Sequence, residues 1–448
     1  MLESGGSLHY LNSNKLLALL VKYPKSTFWV AYSGGLDSQV LLHALSSVVP
    51  ATRLRAIHVN HGWHSDSVKW AETCQLSCAQ LGVHCEVVVV EIQARHGESL
   101  EACAREARYG AIKKLLPAGD CLLTAHHQND QAETLLLQLF RGGGLRGLAS
   151  MPECMTFGKA NLVRPLLSLT RSNLHQYAKA KQLTWIEDSS NADLRFNRNF
   201  IRHQVLPLLH QRWPSINKTL TRVAENSAEA QQLLDELACE DCLKVQGFCK
   251  NEVVVSRLLQ LSPARLRNCL RGWLSQLHFP LPSRRQLEQI EFLLVSKMDA
   301  APQVNWGGVQ IRRYKDFLYA LTLQGDIALA GLPVSWDLKQ ALTLPTVGIL
   351  TVHRVMGDGI ACKKLKARIP AVTIGLRQGG ERFHLHGRFG SHPLKKLFQE
   401  WQVPPWQRQR VPLIYYQKEL IAVAGYGVSP NFMASANEWG YVVSLKST

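Results

Sequence analysis

Apolar and polar positions in the first half of the chain follow two periods in turn. Short, almost wholly apolar runs at 28–32, 54–59, 85–92 and 121–125 read as buried parallel strands. Between them the apolar spacing becomes helical, over 66–81 and 99–116, with Ser99 as N-cap and Glu101 in the acidic first turn of the latter. Strands alternating with helices of this length predict right-handed βαβ units, hence an α/β fold with a doubly wound parallel sheet. From Asn217 through Cys242 the pattern is wholly helical, and Ser262-Pro263 sets a cap and an N1 proline before a helix reaching about Leu277. Residues 253–255 and 309–321 add small strands. Beyond about Leu344, short β patterns and Gly-rich turns surround one helix near 393–401. Three domains are therefore expected: an α/β domain at 1–214, a mainly helical one at 215–343, and a small α+β one at 344–448.

The first strand joins its helix through Ser33-Gly34-Gly35-Leu36-Asp37-Ser38. Glycines there let the backbone approach oxygen atoms, the unpaired N–H groups of the helix start point inward, and the helix dipole favours negative charge. The turn is a cradle for a phosphate chain. It is neither a GxxxxGK[ST] loop nor a GxGxxG turn. It carries Asp37 and no lysine, and a carboxylate beside polyphosphate makes sense when Mg²⁺ bridges the two.

Ligands of doubly wound sheets sit beyond the carboxyl ends of the strands, so the other strand ends are candidate positions too. The second strand delivers Asn60-His61-Gly62, and the fourth delivers His126 through Glu133. Asp130 and Glu133 share a face at the N-terminus of a helix starting near Asn129, where they would hold Mg²⁺ or an ammonium group, or simply complement the dipole. His127 is placed to donate to a phosphate or a developing oxyanion. In helix 99–116, Arg108 beside Tyr109 is the candidate for a phosphate, whereas Arg105 pairs with Glu101 on a solvated face. Residues 140–148, with four glycines and the basic pair Arg141 and Arg146, read as a mobile loop able to close over a substrate strand.

Charge narrows the partner. The 448 residues include 51 Lys and Arg against 34 Asp and Glu, a formal charge of +17, which points to a polyanion and to nucleic acid above all. From residue 351 onward there are 14 basic and 5 acidic residues, so roughly half of the excess sits in the last quarter of the chain. No run of eighteen apolar residues and no basic segment leading into an apolar one occurs, so neither a membrane span nor a signal peptide is expected, and the cytoplasm is the expected location. Eleven cysteines without framework spacing suit free thiols, and the lone Cys239-Glu-Asp-Cys242 reads as ordinary thiols in a helix.

SGGLDS directly after a first strand resembles the signature of the PP-loop ATP pyrophosphatases, which cleave ATP to AMP and pyrophosphate by adenylating an oxygen of a substrate. Within that group, Asn60-His61, the helix carrying Arg105 to Tyr109, Ala125-His126-His127 with Asp130-Gln131-Ala132-Glu133, and the loop Arg141 to Leu148 are, in this order, similar to the tRNA(Ile)-lysidine synthase family. Arg164 to Leu167, Glu187 to Asn191 and Arg198 to His203 continue the likeness. Gly379 to Arg382, Gly387-Arg388, Lys395 to Glu400 and Pro404-Pro405-Trp406 resemble the family's C-terminal tRNA-binding domain. One departure is His392-Pro393, where a basic or small pair is expected.

The resemblance implies that ATP adenylates the C2 oxygen of the wobble cytidine in a CAU-anticodon tRNA(Ile), and that the ε-amine of free lysine then displaces AMP. A tRNA thiolation enzyme, a small-molecule adenylating ligase of the NAD synthetase type, and a non-catalytic tRNA-binding protein that would release no pyrophosphate are the alternatives. Implied with it are ATP as substrate, Mg²⁺, tRNA(Ile) and L-lysine, no membrane, and a homodimer as one candidate assembly. In the site, Ser33, Gly34, Gly35, Leu36, Asp37 and Ser38 would hold ATP, and Asp37 and Asp130 are candidate Mg²⁺ ligands. Asp130 and Glu133 would face metal or the lysine ammonium, and His127 with Arg108 would stabilise charge at the α-phosphate. Arg141, Arg146, Arg195, Arg198, Arg202, Arg382, Arg388, Lys395 and Lys396 are the expected tRNA contacts, with Arg195, Arg198 and Arg202 on one helical stripe.

Overall fold

A computed structural model describes residues 13–62, 66–91, 100–188, 192–296, 302–323, 332–345, 347–365 and 372–446. The expected cap Ser99, the strand end Ile92, the side chain of Glu101 and the segment 189–191 lie outside the described residues. The chain divides into two compact units, Met1–Leu237 and Ala238–Thr448.

In the first unit the elements are α1 (Ser13–Lys22), β1 (Phe28–Ala31), α2 (Leu36–Ser46), β2 (Leu54–Asn60), α3 (Ser67–Gln80), β3 (His84–Val89), α4 (Leu100–Leu115), β4 (Cys121–Leu123) and α5 (Gln128–Phe140). There follow α6 (Leu145–Leu148), β5 (Cys154–Phe157), β6 (Ala160–Val163), α7 (Arg171–Ala180), α8 (Asn197–Phe200), α9 (Leu206–Arg212) and, running across the division at Leu237, α10 (Ile216–Val245). The strands form one sheet in the order β3-β2-β1-β4-β6-β5. β1 is buried on both faces, as its unbroken apolar run requires. Phe28 and Val30 join Leu41, Leu42 and Leu45 of α2 and Leu174 and Ala178 of α7, while Trp29 joins Ile57, Ile112, Leu122 and Leu162 on the opposite side. Asp120 fastens this strand by accepting from Thr27 N–H and from Trp29 Nε1, each at 3.0 Å.

Two local departures have physical causes. The doubly wound parallel sheet ends in an antiparallel edge strand, β5, hairpinned to β6. β5 is four residues long and only partly buried, so its apolar pattern is too weak to read. Residues 140–148 hold a helical turn, α6, where an open loop was expected. Its glycines serve close packing: a Cβ at Gly143 would meet the Gln138 carbonyl oxygen at 2.8 Å, and one at Gly147 the Gln138 Oε1 at 3.0 Å.

The second unit carries separate apolar cores. One joins helices Pro263–Gln276 and Arg284–Val295 to an antiparallel sheet of Glu252–Val254, Phe317–Thr322, Val309–Tyr314 and Gln303–Trp306. Another lies between the antiparallel sheets formed by residues from Val334 to Lys446. A third packs helix Leu394–Glu400 on Phe383, Leu413 and Val423. Strands at 252–254, 309–314 and 317–322 and the helices at 263–276 and 394–400 match the expected pattern; the strand Gln303–Trp306 had no expected counterpart. Among the described residues, no helix is long and apolar enough to cross a membrane.

Candidate active site

β1 pairs with β2 on one side and β4 on the other, with Phe28 opposite Leu54 and opposite Cys121. The strand order reverses there, so the loops after β1 and β4 open into one crevice. This brings the cradle beside the His126–Glu133 segment.

The cradle is built by its own serines. Ser33 N–H lies 3.2 Å from Ser38 Oγ, the two hydroxyls are 3.1 Å apart, and Ser38 Oγ donates to the Gly35 carbonyl at 3.0 Å. The chain is drawn back over the start of α2, whose cap Gly35 has no side chain to fill the concavity. Gly34 has φ +79°, and a Cβ on it would meet Ile186 Cδ1 at 2.6 Å and Cys74 Sγ at 2.9 Å. Only glycine fits.

His127 caps α5: its N–H donates to Asp130 Oδ2 at 3.0 Å. The imidazole is 1% exposed, with Nε2 at 3.5 Å from Asp37 Oδ2 and 3.4 Å from Asp130 Oδ2. It lies between the cradle's acid and the acid of α5, with neither ring nitrogen hydrogen-bonded among the described residues. The other oxygen of Asp37, Oδ1, is buried and has no hydrogen-bond partner among the described residues.

Asp130 and Glu133 share a face, as expected, and that face is closed by two arginines. α5 packs its apolar side, Ala132 and Leu136, against Ile201 and Leu206, which brings the segment after α8 alongside. Arg198 donates Nε to Glu133 at 2.7 Å and a terminal nitrogen to Asp130 at 2.8 Å. Arg202 donates to Glu133 at 2.6 and 3.0 Å and to Asp130 at 3.3 Å. Burial opposes ionisation of Asp130, but His127 and then Arg198 outweigh it and hold the carboxyl at about 2. Burial likewise opposes the arginine charges, and the carboxylates overcome it, raising both. The result is two carboxylates neutralised by two guanidiniums.

The flanking histidines are kept neutral. Burial, then the Arg108 guanidinium, pushes His61 down to about 4, which puts Arg108 within electrostatic reach of the β2 strand end. Burial takes His126 down to about 3, and its Nδ1 lies 2.8 Å from Thr124 Oγ1. Arg105 and Arg108 both lie over the Tyr109 ring, at 5.1 and 5.8 Å from its centre.

The expected tRNA contacts fall into two groups. Arg198 and Arg202 point inward to the acids of α5, and Arg195 stands ahead of α8, bonded to Asp193 at 2.7 Å, so the three make no common outward stripe. Arg141 is exposed at the end of α5, and Arg146 pairs with Asp235 at 2.7 Å. In the second unit Arg382, Arg388, Lys395 and Lys396 are all exposed. Among the described residues, no group of three or more His, Cys, Asp or Glu side chains is arranged to hold a metal ion by itself.

The chain matches the PP-loop domain family over residues 9–209, the TilS substrate binding domain over 254–319, and the TilS substrate C-terminal domain over 372–445. It is 43% identical over 428 residues to a tRNA(Ile)-lysidine synthase of Coxiella burnetii, covering 94% of this chain and 93% of that one. The chain belongs to the tRNA(Ile)-lysidine synthase family. Family members of the same name from Alkalilimnicola ehrlichii and Photobacterium profundum are 42% and 41% identical, covering 93% and 94% of this chain and 93% and 97% of theirs. For this lysidine synthase family member the sequence reading passed over Ile186 and set Cys74 among thiols that do not flank the active loops; the structure corrects the second point, since a Cβ on Gly34 would meet Cys74 Sγ at 2.9 Å. Ile186 N–H donates to the Gly34 carbonyl at 2.9 Å, and both side chains wall the cradle from below. The sequence signal for Ile186 is adjacency, since it directly precedes the Glu187-Asp188 segment.

Proposed function

We propose that this chain uses ATP to form lysidine on tRNA(Ile), as a ligase releasing AMP and pyrophosphate. The cytidine C2 oxygen attacks the α-phosphorus of ATP and pyrophosphate leaves. The ε-amine of free lysine then bonds to C2, AMP departs with the oxygen, and the amine gives up a proton. Adenylation is needed because a carbonyl oxygen is a poor leaving group. The amine is itself the nucleophile, so no side chain need form a covalent intermediate.

The observation that carries this reading is the cradle of Ser33 to Ser38 with the unpartnered Asp37 Oδ1 beside a buried His127, in a chain alike to lysidine synthases over nearly its whole length. Backbone N–H groups of the cradle hold the pyrophosphate portion. Bound Mg²⁺ would neutralise phosphate charge, and Asp37, with its unpartnered Oδ1, is the residue that would hold it. Asp130 is the weaker ligand, because Arg198, Arg202 and His127 already face its oxygens. We assign Arg108 to the α-phosphate, and Asp130 and Glu133 with their arginines to positioning His127. Residues 1–214, 215–343 and 344–448 are assigned as catalytic, helical tRNA-contacting and basic tRNA-binding domains, supported by the separate cores of the second unit. The enzyme acts where its tRNA is, in the cytoplasm.

The test is incubation with ATP, radiolabelled lysine and unmodified tRNA(Ile), with Asp37→Ala alongside. Label moves to tRNA with the native chain and not with the variant. Absence of transfer by the native chain, with uptake from a sulfur donor instead, would overturn the reading; undiminished transfer by the variant would overturn the role of Asp37.

A further inference from the structure

Three cysteines gather beneath the cradle of the first unit. α3 carries Cys74 and Cys78 one turn apart, 1% and 0% exposed, in the core that also holds β1 and α2. After α3 the chain turns back at once. Leu81 N–H and Val83 N–H both donate to the Cys78 carbonyl, at 3.0 and 2.9 Å, with Gly82 between them at φ +68°. This reversal starts β3 against the helix before it and packs Cys85 on the same core. There the Cys78 thiol donates to the Cys85 sulfur.

Cys85 is half-buried, so an oxidant in solution reaches it, while Cys78 behind it is sealed. The bond from Cys78 favours the Cys85 thiolate against the effect of burial, and it holds the proton on Cys78. An accessible sulfur with thiolate character, backed by a second sulfur in contact, is the arrangement in which oxidation by peroxide ends in a disulfide. The other close pair, Cys242 and Cys269 in the second unit, has its sulfurs 3.8 Å apart but both members buried, and so lacks the entry. The third thiol ties the first pair to the cradle. A Cβ on Gly34 would meet Cys74 Sγ at 2.9 Å and Ile186 Cδ1 at 2.6 Å, so the loop has no slack there. A shift of α3 at Cys78 is carried one turn along a rigid helix to Cys74, and from there to Gly34.

We propose that Cys78 and Cys85 are a redox modification site, forming a reversible disulfide that weakens the cradle's hold on ATP. With a peroxide as oxidant, the Cys85 thiolate attacks one peroxide oxygen, the O–O bond breaks, and hydroxide leaves behind the Cys85 sulfenic acid. The Cys78 sulfur then bonds to the Cys85 sulfur, the S–O bond breaks, and the oxygen departs as water with the Cys78 proton. The two thiols give up two electrons and the peroxide becomes two waters; a dithiol reverses the bond. Closure brings the sulfurs to about 2 Å, which draws the end of α3 towards β3 and moves Cys74 under Gly34. The coupling rests on the cradle as the ATP site; the disulfide does not.

The experiment compares the full-length chain kept in a dithiol with the same chain treated with hydrogen peroxide. Mass mapping after cleavage at Leu76 and Leu81, which separates Cys74, Cys78 and Cys85, reads the link, and calorimetric titration reads the Kd of ATP. The oxidised native chain should yield linked Cys78 and Cys85 peptides and bind ATP about five-fold more weakly, recovering when the dithiol is restored. Cys85→Ser should bind ATP as the reduced native chain does, before and after peroxide. Cys78→Ala leaves Cys85 without its partner, so dimedone, which traps sulfenic acids, should label Cys85 in that variant and far less in the native chain. A native chain with no such link, or with a link through Cys74 or between Cys242 and Cys269 in its place, overturns the site. A Cys78–Cys85 link with unchanged ATP affinity overturns the coupling to the cradle. Failure of the cradle as the ATP site shows separately, as absent ATP binding by the reduced native chain, while the link is scored regardless.

Discussion

Replacing Glu133 with Gln removes one charge from a buried cluster and almost no volume. Glu133 is 0% exposed and takes three hydrogen bonds, at 2.7 Å from Arg198 and at 2.6 and 3.0 Å from Arg202. With Asp130 the native cluster is neutral; in the variant Asp130 alone faces two guanidiniums. Removing one partner of a buried ion pair costs about 3–5 kcal/mol. The arginine side chains keep 20% and 22% of their surface, and the glutamine carbonyl still accepts a bond, which sets the loss at the lower end, about 3 kcal/mol. In a unit of this size each kcal/mol moves Tm by about 2–4 °C, so calorimetry should show the first unit melting roughly 6–12 °C lower. Adding Arg202→Gln restores neutrality, and the double variant should lose less than the sum of the two single changes by about 1 kcal/mol or more. A Glu133→Gln chain melting within about 2 °C of native, or strictly additive losses, would refute the view that these four residues form one closed electrostatic unit.

Two further outcomes follow from the site. A methyl on Gly34 would sit 2.6 Å from Ile186 Cδ1 at a φ of +79°, so Gly34→Ala should weaken ATP binding at least about ten-fold by calorimetric titration. Ile186→Ala in the same chain relieves the contact but not the backbone strain and should restore only part; affinity within about two-fold of native for Gly34→Ala would sink the account. His126, held at about 3 by burial, is neutral in the fold while the unfolded chain protonates near its ordinary 6.5. Its contribution is therefore intact above pH 6.5 and declines as pH falls towards 3, by roughly 2 kcal/mol between pH 7 and 5. Thermal scans at those two pH values should show a smaller drop for His126→Gln than for the native chain; parallel drops would count against it.

Much of the architecture was legible because its causes are local. The apolar runs at 28–32, 54–59 and 121–125 mark strands buried on both faces whatever they pair with, and a Gly-Gly turn leading into a helix leaves N–H groups free wherever it occurs. The excess of basic residues after position 351 needs no coordinates to imply a polyanion. Asp37, His127, Asp130 and Glu133 were found together because strand ends in a doubly wound sheet converge, a rule that follows from chain order alone.

What the sequence left open was the destination of each charge. Arg198 and Arg202 stand 65 and 69 residues from Glu133 along the chain, and spacing by itself allowed an outward track along RNA as readily as an inward clamp on acids. The clamp exists because Ala132 and Leu136 bury against Ile201 and Leu206 and carry the arginines in with them. The glycines at 143 and 147 likewise read as mobility until Gln138 was seen against them. Periodicity is a property of neighbours, and so it survives in one dimension. Which cation meets which anion depends on packing between distant segments, and only the assembled core decides that.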